Sequence, residues 1–123
     1  MLVLEDVHTH YGKIEALHGV SVEVKKGEIV SLIGANGAGK TTLLMTVCGS
    51  PQASAGRVIL EGRDITNDAT SNIMRSGIAI VPEGRRVFPG LTVEENLHMG
   101  CFFNTKSEIR KSQDHVYELF PRL

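Results

Sequence analysis

The chain has 123 residues, 41% of them apolar, which is enough for the core of one ordinary domain and too short for two independent ones. Thirteen basic residues against fourteen acidic ones give a net charge of -1, so charge does not indicate a nucleic-acid partner. There is no apolar run of about eighteen residues, as a membrane span requires, and no export signal at the start, so we expect a cytosolic protein.

Three segments of the first third of the chain have the pattern of β-strands. Residues 20–24 alternate valine with Ser21 and Glu23, which indicates a strand with one buried face. The apolar residues between positions 3 and 7 suggest another strand upstream. After Glu28, residues 29–33 are apolar on both faces apart from Ser31, and this predicts a central strand over 28–33 in a covered sheet.

A helix is predicted directly after a glycine-rich loop. From Lys40 onward, Leu43, Leu44 and Val47 recur at helical spacing, and residues 49–51 supply a glycine stop with a proline just beyond it. Cys48, within this helix, and Cys101 do not form a closely spaced pair. We expect buried thiols in a reducing compartment, with a disulfide as the alternative.

The second half of the chain continues the alternation of strands and helices. Its predicted elements are a strand at 57–60, a short helix at 70–76, a buried strand at 78–81, an irregular segment at 83–91, a helix from 93 to about 99 and another from near 107. Pro82 should end the sheet, because it cannot donate a ladder hydrogen bond. Thr92 and Glu95 form a capping box. The order of elements predicts an α/β domain.

Residues 34–41, Gly-Ala-Asn-Gly-Ala-Gly-Lys-Thr, fit the phosphate-binding loop, and their place between a strand and a helix is the expected one. The predicted nucleotide-binding residues are Gly34, Asn36, Gly37, Ala38, Gly39, Lys40, Thr41 and Thr42. Lys40 would reach the β- and γ-phosphates of ATP, Thr41 would supply an oxygen ligand to Mg²⁺, and Thr42 could add a phosphate contact. The alternative is a glycine-rich turn without a ligand.

Kinases, GTPases and transport ATPases share this loop, so its flanks must distinguish them. The Asn-Lys-x-Asp guanine reader of a GTPase does not occur in these residues. Small kinases usually open with the loop, whereas here about thirty residues of antiparallel-looking strand come first. They contain Tyr11 and Gly12, a candidate aromatic platform for a base.

Tyr11, the loop 34–42 and the sequence Val-Pro-Glu at 81–83 together resemble the ATP-binding cassette of ABC transporters. The resemblance implies a P-loop NTPase fold of the ABC type, with an antiparallel β subdomain and an incomplete RecA-like core. It also implies that Tyr11 stacks on adenine. Glu83 stands where the family usually has a glutamine that senses Mg²⁺ and links to the transmembrane partner. A carboxylate could also ligate Mg²⁺, and the alternative is a solvated loop acid.

Residues 81–97 are similar to the LivF-type ATP-binding subunits of branched-chain amino acid importers, a group in which glutamate replaces that glutamine. The resemblance implies an ATPase subunit, peripheral on the cytoplasmic face of the inner membrane, that pairs with a second ATP-binding subunit as a homo- or heterodimer. Arg85, Arg86, Val87 and Phe88 combine two cations with apolar groups. This composition suits the loop from Glu83 to Phe88 to docking on permease subunits. The alternative is an ordinary surface loop with Phe88 tucked into the domain.

The family's Leu-Ser-Gly-Gly-type signature, the Asp-Glu strand of Walker B and the switch histidine do not occur in these residues. We therefore expect residues 1–123 to be the N-terminal part of one ABC ATP-binding domain. Lys40 and Glu83 would contribute to catalysis without completing the site, so the isolated chain should be inactive. The rival interpretations are a cassette of a non-transport ABC protein and a truncated docking module that does not hydrolyse ATP.

Two histidines of the first strand raise one further possibility. His8 and His10 could face the same side of that strand as metal ligands, but no third ligand is evident in the sequence. We expect solvated histidines at a sheet edge instead.

Overall fold

A hairpin of two long strands opens the chain in the computed structural model, which describes residues 1–84 and 86–123. The elements are β1 Leu2–Tyr11, β2 Ile14–Val24, α1 Lys40–Val47, β3 Ala55–Leu60, β4 Arg63–Asp64, α2 Thr70–Arg75, α3 Val93–Gly100 and α4 Lys106–Leu119. They fall into two units, Met1–Ile80 and Val81–Leu123. Arg85, which belongs to the predicted docking loop, lies outside the described residues.

The four strands of the first unit form an antiparallel sheet in the order β2-β1-β3-β4. The predicted antiparallel β subdomain is therefore confirmed. β1 pairs with β2 from Leu2 opposite Val24 to Tyr11 opposite Ile14, and on its other side β1 pairs with β3. The alternating pattern on which the strand predictions depended turns one set of side chains toward the core and the other toward solvent.

One face of this sheet packs against the helix that follows the glycine-rich loop. The core consists of Leu4, Val7, Leu17, Leu43, Val47, Val58, Ile65 and Ile73, all nearly inaccessible to solvent. The polar pair Thr9 and Thr46 lies within it, and the two hydroxyl groups share a buried hydrogen bond of 3.1 Å. This bond satisfies both hydroxyls where water cannot reach them, and it ties α1 to β1.

The strands predicted at residues 28–33 and 78–81 are not present. Both segments are irregular, and Ile29, Ile33 and Val81 are 97%, 96% and 95% exposed. A strand has no hydrogen bonds within its own backbone, so it forms only where a neighbour pairs with it. Within 1–84 and 86–123 no strand pairs with either segment. Their apolar pattern indicates suitability for burial and does not supply the neighbour, so this part of the RecA-like core is not formed.

The helices of the second unit follow the predicted bounds to within one residue. α3 begins after the predicted capping box: the Glu95 N–H donates to Thr92 Oγ1 at 3.2 Å, and the Thr92 N–H donates to Glu95 Oε2 at 2.7 Å. The hydrogen bonds from Thr92 also lower the pKa of the Glu95 carboxyl group. α4 starts with a second capping box, Thr105 with Glu108, which was not among the predicted features. None of the helices in the described part of the chain has the length and hydrophobicity to cross a membrane.

Candidate functional site

The glycine-rich loop leads directly into α1 and takes a backbone path that only glycine follows without strain. Gly37 has φ 85° and Gly39 has φ 88°, both in the left-handed region. Gly39 is also close to β2, because a Cβ there would lie 3.0 Å from both the carbonyl oxygen of Ala16 and Cδ2 of Leu17. The loop is thus anchored on the hairpin by close backbone approach.

Lys40, the first residue of α1, folds its side chain back over this loop. Its ammonium group donates to the carbonyl oxygens of Gly34 at 2.8 Å and of Ala35 at 2.7 Å. An ammonium group has three donors, and a phosphate oxygen is a stronger acceptor than a peptide carbonyl. Lys40 therefore holds a positive charge where an anion in the loop would contact it.

The N-terminus of α1 faces the same loop without a side-chain cap. The first main-chain bond of the helix runs from the Leu43 N–H to the Gly39 carbonyl oxygen at 2.8 Å. The N–H groups of Lys40, Thr41 and Thr42 therefore have no partner in the helix, and the helix dipole adds partial positive charge there. This donor set fits a polyphosphate. Thr41 is exposed, so its hydroxyl is accessible as an oxygen ligand for Mg²⁺.

Tyr11 is the last residue of β1 and is 51% exposed. Tyr11 follows Thr9 by two positions, and alternate residues of a strand project from the same face. The pairing with β2 is irregular between these two residues, but the extra residue lies on β2 and does not change the alternation along β1. Tyr11 and Thr9 therefore project from the same face of β1. That face carries α1, because Thr9 contacts Thr46 of the helix. The exposed aromatic ring is therefore on the side of the hairpin that supports the loop.

Glu83 belongs to the second unit and is exposed. Its carbonyl oxygen accepts a hydrogen bond from Arg86 Nε at 3.2 Å, which links the two ends of this turn. The carboxylate of Glu83 is left exposed to solvent in this turn. The predicted pairing of Glu83 with Thr41 around a metal ion stays a prediction.

The segment after Glu83 exposes apolar side chains, with Val87 67% and Phe88 52% accessible. Phe88 is therefore not tucked into the unit. An open groove of about 500 Å³ is lined by Arg86, Val87, Phe88, Pro89, Leu91, Val93, Asn96, Leu97 and Leu123, and we call it the α3 groove. Sequence reasoning missed Asn96, whose side chain bonds to the segment before α3. The available signal was a lone amide one turn into a helix that follows a proline-glycine loop.

The two histidines of β1 each have a protein partner. His8 Nδ1 lies 2.6 Å from Glu15 Oε1, and His10 Nδ1 lies 2.8 Å from Ser54 Oγ. The hydrogen bond with Glu15 raises the pKa of His8. His8 pairs with Ala55 of β3 and lies on an inner strand, so the expectation of a sheet edge is wrong for His8. His10 lies beyond the last residue pair of β1 with β3 and is exposed, as expected. In the described residues, no group of three His, Cys, Asp or Glu side chains is placed to hold a metal ion.

Both cysteines are free thiols, as expected. Cys48 is buried at the end of α1 and Cys101 is partly buried at the end of α3. Burial raises the pKa of the Cys48 thiol, which keeps it protonated and unreactive.

The chain is similar in sequence to known proteins that are named for ATP binding. A family model described as ABC transporter matches residues 17–123. The high-affinity branched-chain amino acid transport ATP-binding protein BraG of Pseudomonas aeruginosa is 64% identical over 123 residues, covering 100% of this chain and 53% of that protein. The probable branched-chain amino acid transport ATP-binding protein LivF of Archaeoglobus fulgidus is 34% identical over 123 residues, covering 100% and 52%. The chain thus spans about half the length of the curated relatives it matches.

A solved structure has the same fold. The dimeric structure of MJ0796, described as a bacterial ABC transporter cassette, superposes with a TM-score of 0.76 at 29% identity, covering 90% of this chain and 53% of that one. The sequence resemblance based on Tyr11, the loop 34–42 and residues 81–83 is confirmed at the level of the family and the fold. With most of its length matched by the family model, the chain belongs to the ABC transporter family.

Proposed function

We propose that the protein is an ATP-binding subunit that energises ABC-type import of branched-chain amino acids across the inner membrane by binding and hydrolysing ATP. The observation that carries the proposal is the 64% identity, over the full 123 residues, to a Pseudomonas aeruginosa protein named for that role. On this proposal, residues 1–123 are the N-terminal part of one ABC ATP-binding domain, and the chain covers 53% and 52% of the length of these two relatives.

The first unit binds the nucleotide. The ring of Tyr11 stacks on adenine, and the loop from Gly34 through Thr42 surrounds the phosphates with main-chain N–H groups. Lys40 exchanges its bonds to the carbonyl oxygens of Gly34 and Ala35 for bonds to the β- and γ-phosphate oxygens.

Thr41 and Glu83 hold Mg²⁺, which when bound offsets negative charge on the β- and γ-phosphates. The exposed hydroxyl of Thr41 and the exposed carboxylate of Glu83 are both oxygen donors, the type that Mg²⁺ prefers. Lys40 and Glu83 contribute to catalysis, while the catalytic acid and the signature come from outside these 123 residues.

The second unit transmits the energy. Permease subunits dock on the loop from Glu83 to Phe88, where Val87 and Phe88 expose apolar surface and Arg86 supplies a cation. The subunit works as a homo- or heterodimer with a second ABC ATP-binding subunit, peripheral on the cytoplasmic face of the membrane. No nucleic acid takes part.

The test is uptake of labelled leucine by membrane vesicles that contain the complete importer with the full-length subunit. Lys40→Ala should weaken ATP binding by about a hundredfold or more and abolish uptake, because the phosphates lose a charge-assisted contact. Lys111→Ala, which removes an exposed lysine from α4, is the matched control and should retain both activities. Uptake that persists in Lys40→Ala would contradict the ATPase role. ATP binding without any leucine, isoleucine or valine uptake would contradict the substrate class.

A further inference from the structure

The Asn96 side chain is bonded entirely to the main chain of the segment that precedes its helix. The Phe88 N–H donates to Asn96 Oδ1 at 2.8 Å, and Asn96 Nδ2 is within donating distance of the carbonyl oxygens of Phe88 at 3.1 Å, Thr92 at 2.9 Å and Leu91 at 3.3 Å. Both ends of the carboxamide are therefore used, and both the N–H and the carbonyl of Phe88 are clamped by one side chain.

The clamped segment has little means of holding itself in place. Pro89 has no N–H to donate, and Gly90 gives the backbone more freedom than any other residue would. The Leu91 N–H donates to the Phe88 carbonyl oxygen at 3.1 Å, which closes a turn but does not connect it to α3. Asn96 supplies that connection, four residues after the N-cap Thr92.

Asparagine is the residue that matches this set of partners. Its amide combines one acceptor with two donors at the end of a short side chain. An aspartate would keep the acceptor for the Phe88 N–H but would lose both donors and place negative charge against three carbonyl oxygens. Alanine would remove all of the bonds.

The connection bears on docking because Asn96 and Phe88 both line the α3 groove. Phe88 is 52% exposed, so packing holds its ring only in part. Its position is set through the main chain, and the main chain is held by Asn96.

We propose that Asn96 is a positioning residue for docking. It fixes the main chain of Phe88 beside the α3 groove, so that the Phe88 ring and the Arg86 guanidinium are presented to the permease in one arrangement. The inference rests on the proposed function, since it assumes that the loop from Glu83 to Phe88 is the docking site. Pre-organisation of this kind lowers the cost of ordering a loop at the moment of binding.

The experiment uses the full-length subunit and the importer's own permease subunits in nanodiscs. Four variants are compared with the native protein: Asn96→Ala, Asn96→Asp, Phe88→Ala and Gln113→Ala. The last is the matched control, because Gln113 is a helical amide of the same unit. Its Nε2 donates to Glu94 Oε1 at 3.1 Å and to no other group of the described residues. The measured quantities are permease affinity, ATP affinity, melting temperature and hydrogen exchange at the Phe88 amide.

Asn96→Ala should weaken permease binding by about tenfold and speed exchange at the Phe88 amide by about tenfold, each the size expected for losing a small number of hydrogen bonds. ATP affinity should stay within about twofold, because the loop 34–42 lies in the first unit. Asn96→Asp should keep the slow hydrogen exchange at the Phe88 amide, because the carboxylate still accepts from that N–H. It should still weaken permease binding, because the Phe88 carbonyl oxygen loses its donor. Gln113→Ala should change none of these quantities.

The outcomes separate this inference from docking itself. If Phe88→Ala leaves permease affinity unchanged, docking through this loop is wrong and the inference falls with it. If Phe88→Ala weakens binding but Asn96→Ala does not, docking stands and the positioning role is overturned. A merely structural role would show as a loss of permease and ATP affinity together with a lower melting temperature, and that result also overturns the inference.

Discussion

Alanine substitutions at Gly39 and Gly37 form a matched pair that separates backbone strain from steric crowding in the glycine-rich loop 34–42. Both glycines have nearly the same left-handed φ, 88° and 85°. They differ in surroundings, because a Cβ at Gly39 would lie 3.0 Å from the Ala16 carbonyl oxygen and from Leu17 Cδ2, whereas a Cβ at Gly37 would meet nothing within 4 Å.

The expected magnitudes follow from these two features. A left-handed conformation costs a residue with a Cβ about 1–2 kcal/mol, and both variants should lose this much from the free energy of unfolding. Crowding costs about 1–3 kcal/mol more where neighbours must move, and only Gly39→Ala should show this additional loss. The rigid partner is the backbone of β2, which is held in the sheet and cannot yield cheaply.

Urea denaturation of the full-length protein without nucleotide measures the difference. Gly39→Ala should be less stable than Gly37→Ala by about 1 kcal/mol or more. Equal losses in the two variants would refute the close approach of the loop to β2, and a neutral Gly39→Ala would refute the left-handed backbone as well.

Four further substitutions test the core and the polar contacts of the first unit. Thr46→Val should lower the free energy of unfolding by about 1–3 kcal/mol, because it leaves the buried hydroxyl of Thr9 without its partner. The double variant with Thr9→Val should be more stable than the sum of the two single losses predicts. Ile73→Ala should lower the free energy of unfolding by about 2–5 kcal/mol, since Ile73 is buried and its loss leaves a cavity; a loss below about 1 kcal/mol in urea denaturation would contradict its place in the core. Glu15→Gln removes a pair in which the pKa of His8 is raised above 6.5 and that of Glu15 is lowered below 4.5. The pair should therefore stabilise the native protein fully between pH 4.5 and 6.5. Its effect should be lost as pH rises through the folded pKa of His8 or falls through the folded pKa of Glu15. A difference in melting temperature between Glu15→Gln and the native protein that is constant from pH 4 to 9 would exclude this stabilising pair.

The elements predicted correctly from the sequence are those whose information is local. α1 begins at Lys40 because a glycine-rich turn precedes it and apolar residues at helical spacing follow. α3 begins where the capping box predicts, since Thr92 and Glu95 satisfy each other's backbone groups within four residues. The family resemblance depended on short patterns of the same kind, the loop 34–42 and residues 81–83, together with Tyr11.

Local sequence patterns did not predict the contacts by which distant residues support the glycine-rich loop. The anchoring of Gly39 on Ala16 and the bond between Thr9 and Thr46 join positions far apart in the sequence, and no spacing rule predicts either contact. Asn96 was missed for a related reason: its partners are main-chain groups, which look the same for every residue type.

The sequence by itself determined the glycine-rich loop, the helix boundaries and the family, because glycine conformation, capping and hydrophobic periodicity act over a few neighbouring residues. Only the tertiary structure decided which apolar runs become strands. Residues 2–11 and 14–24 pair with each other and form a sheet, whereas residues 28–33 and 78–81, no less apolar, find no pairing partner in the described residues and stay irregular. A helix closes its hydrogen bonds within itself, but a strand depends on a second segment whose position no local pattern contains.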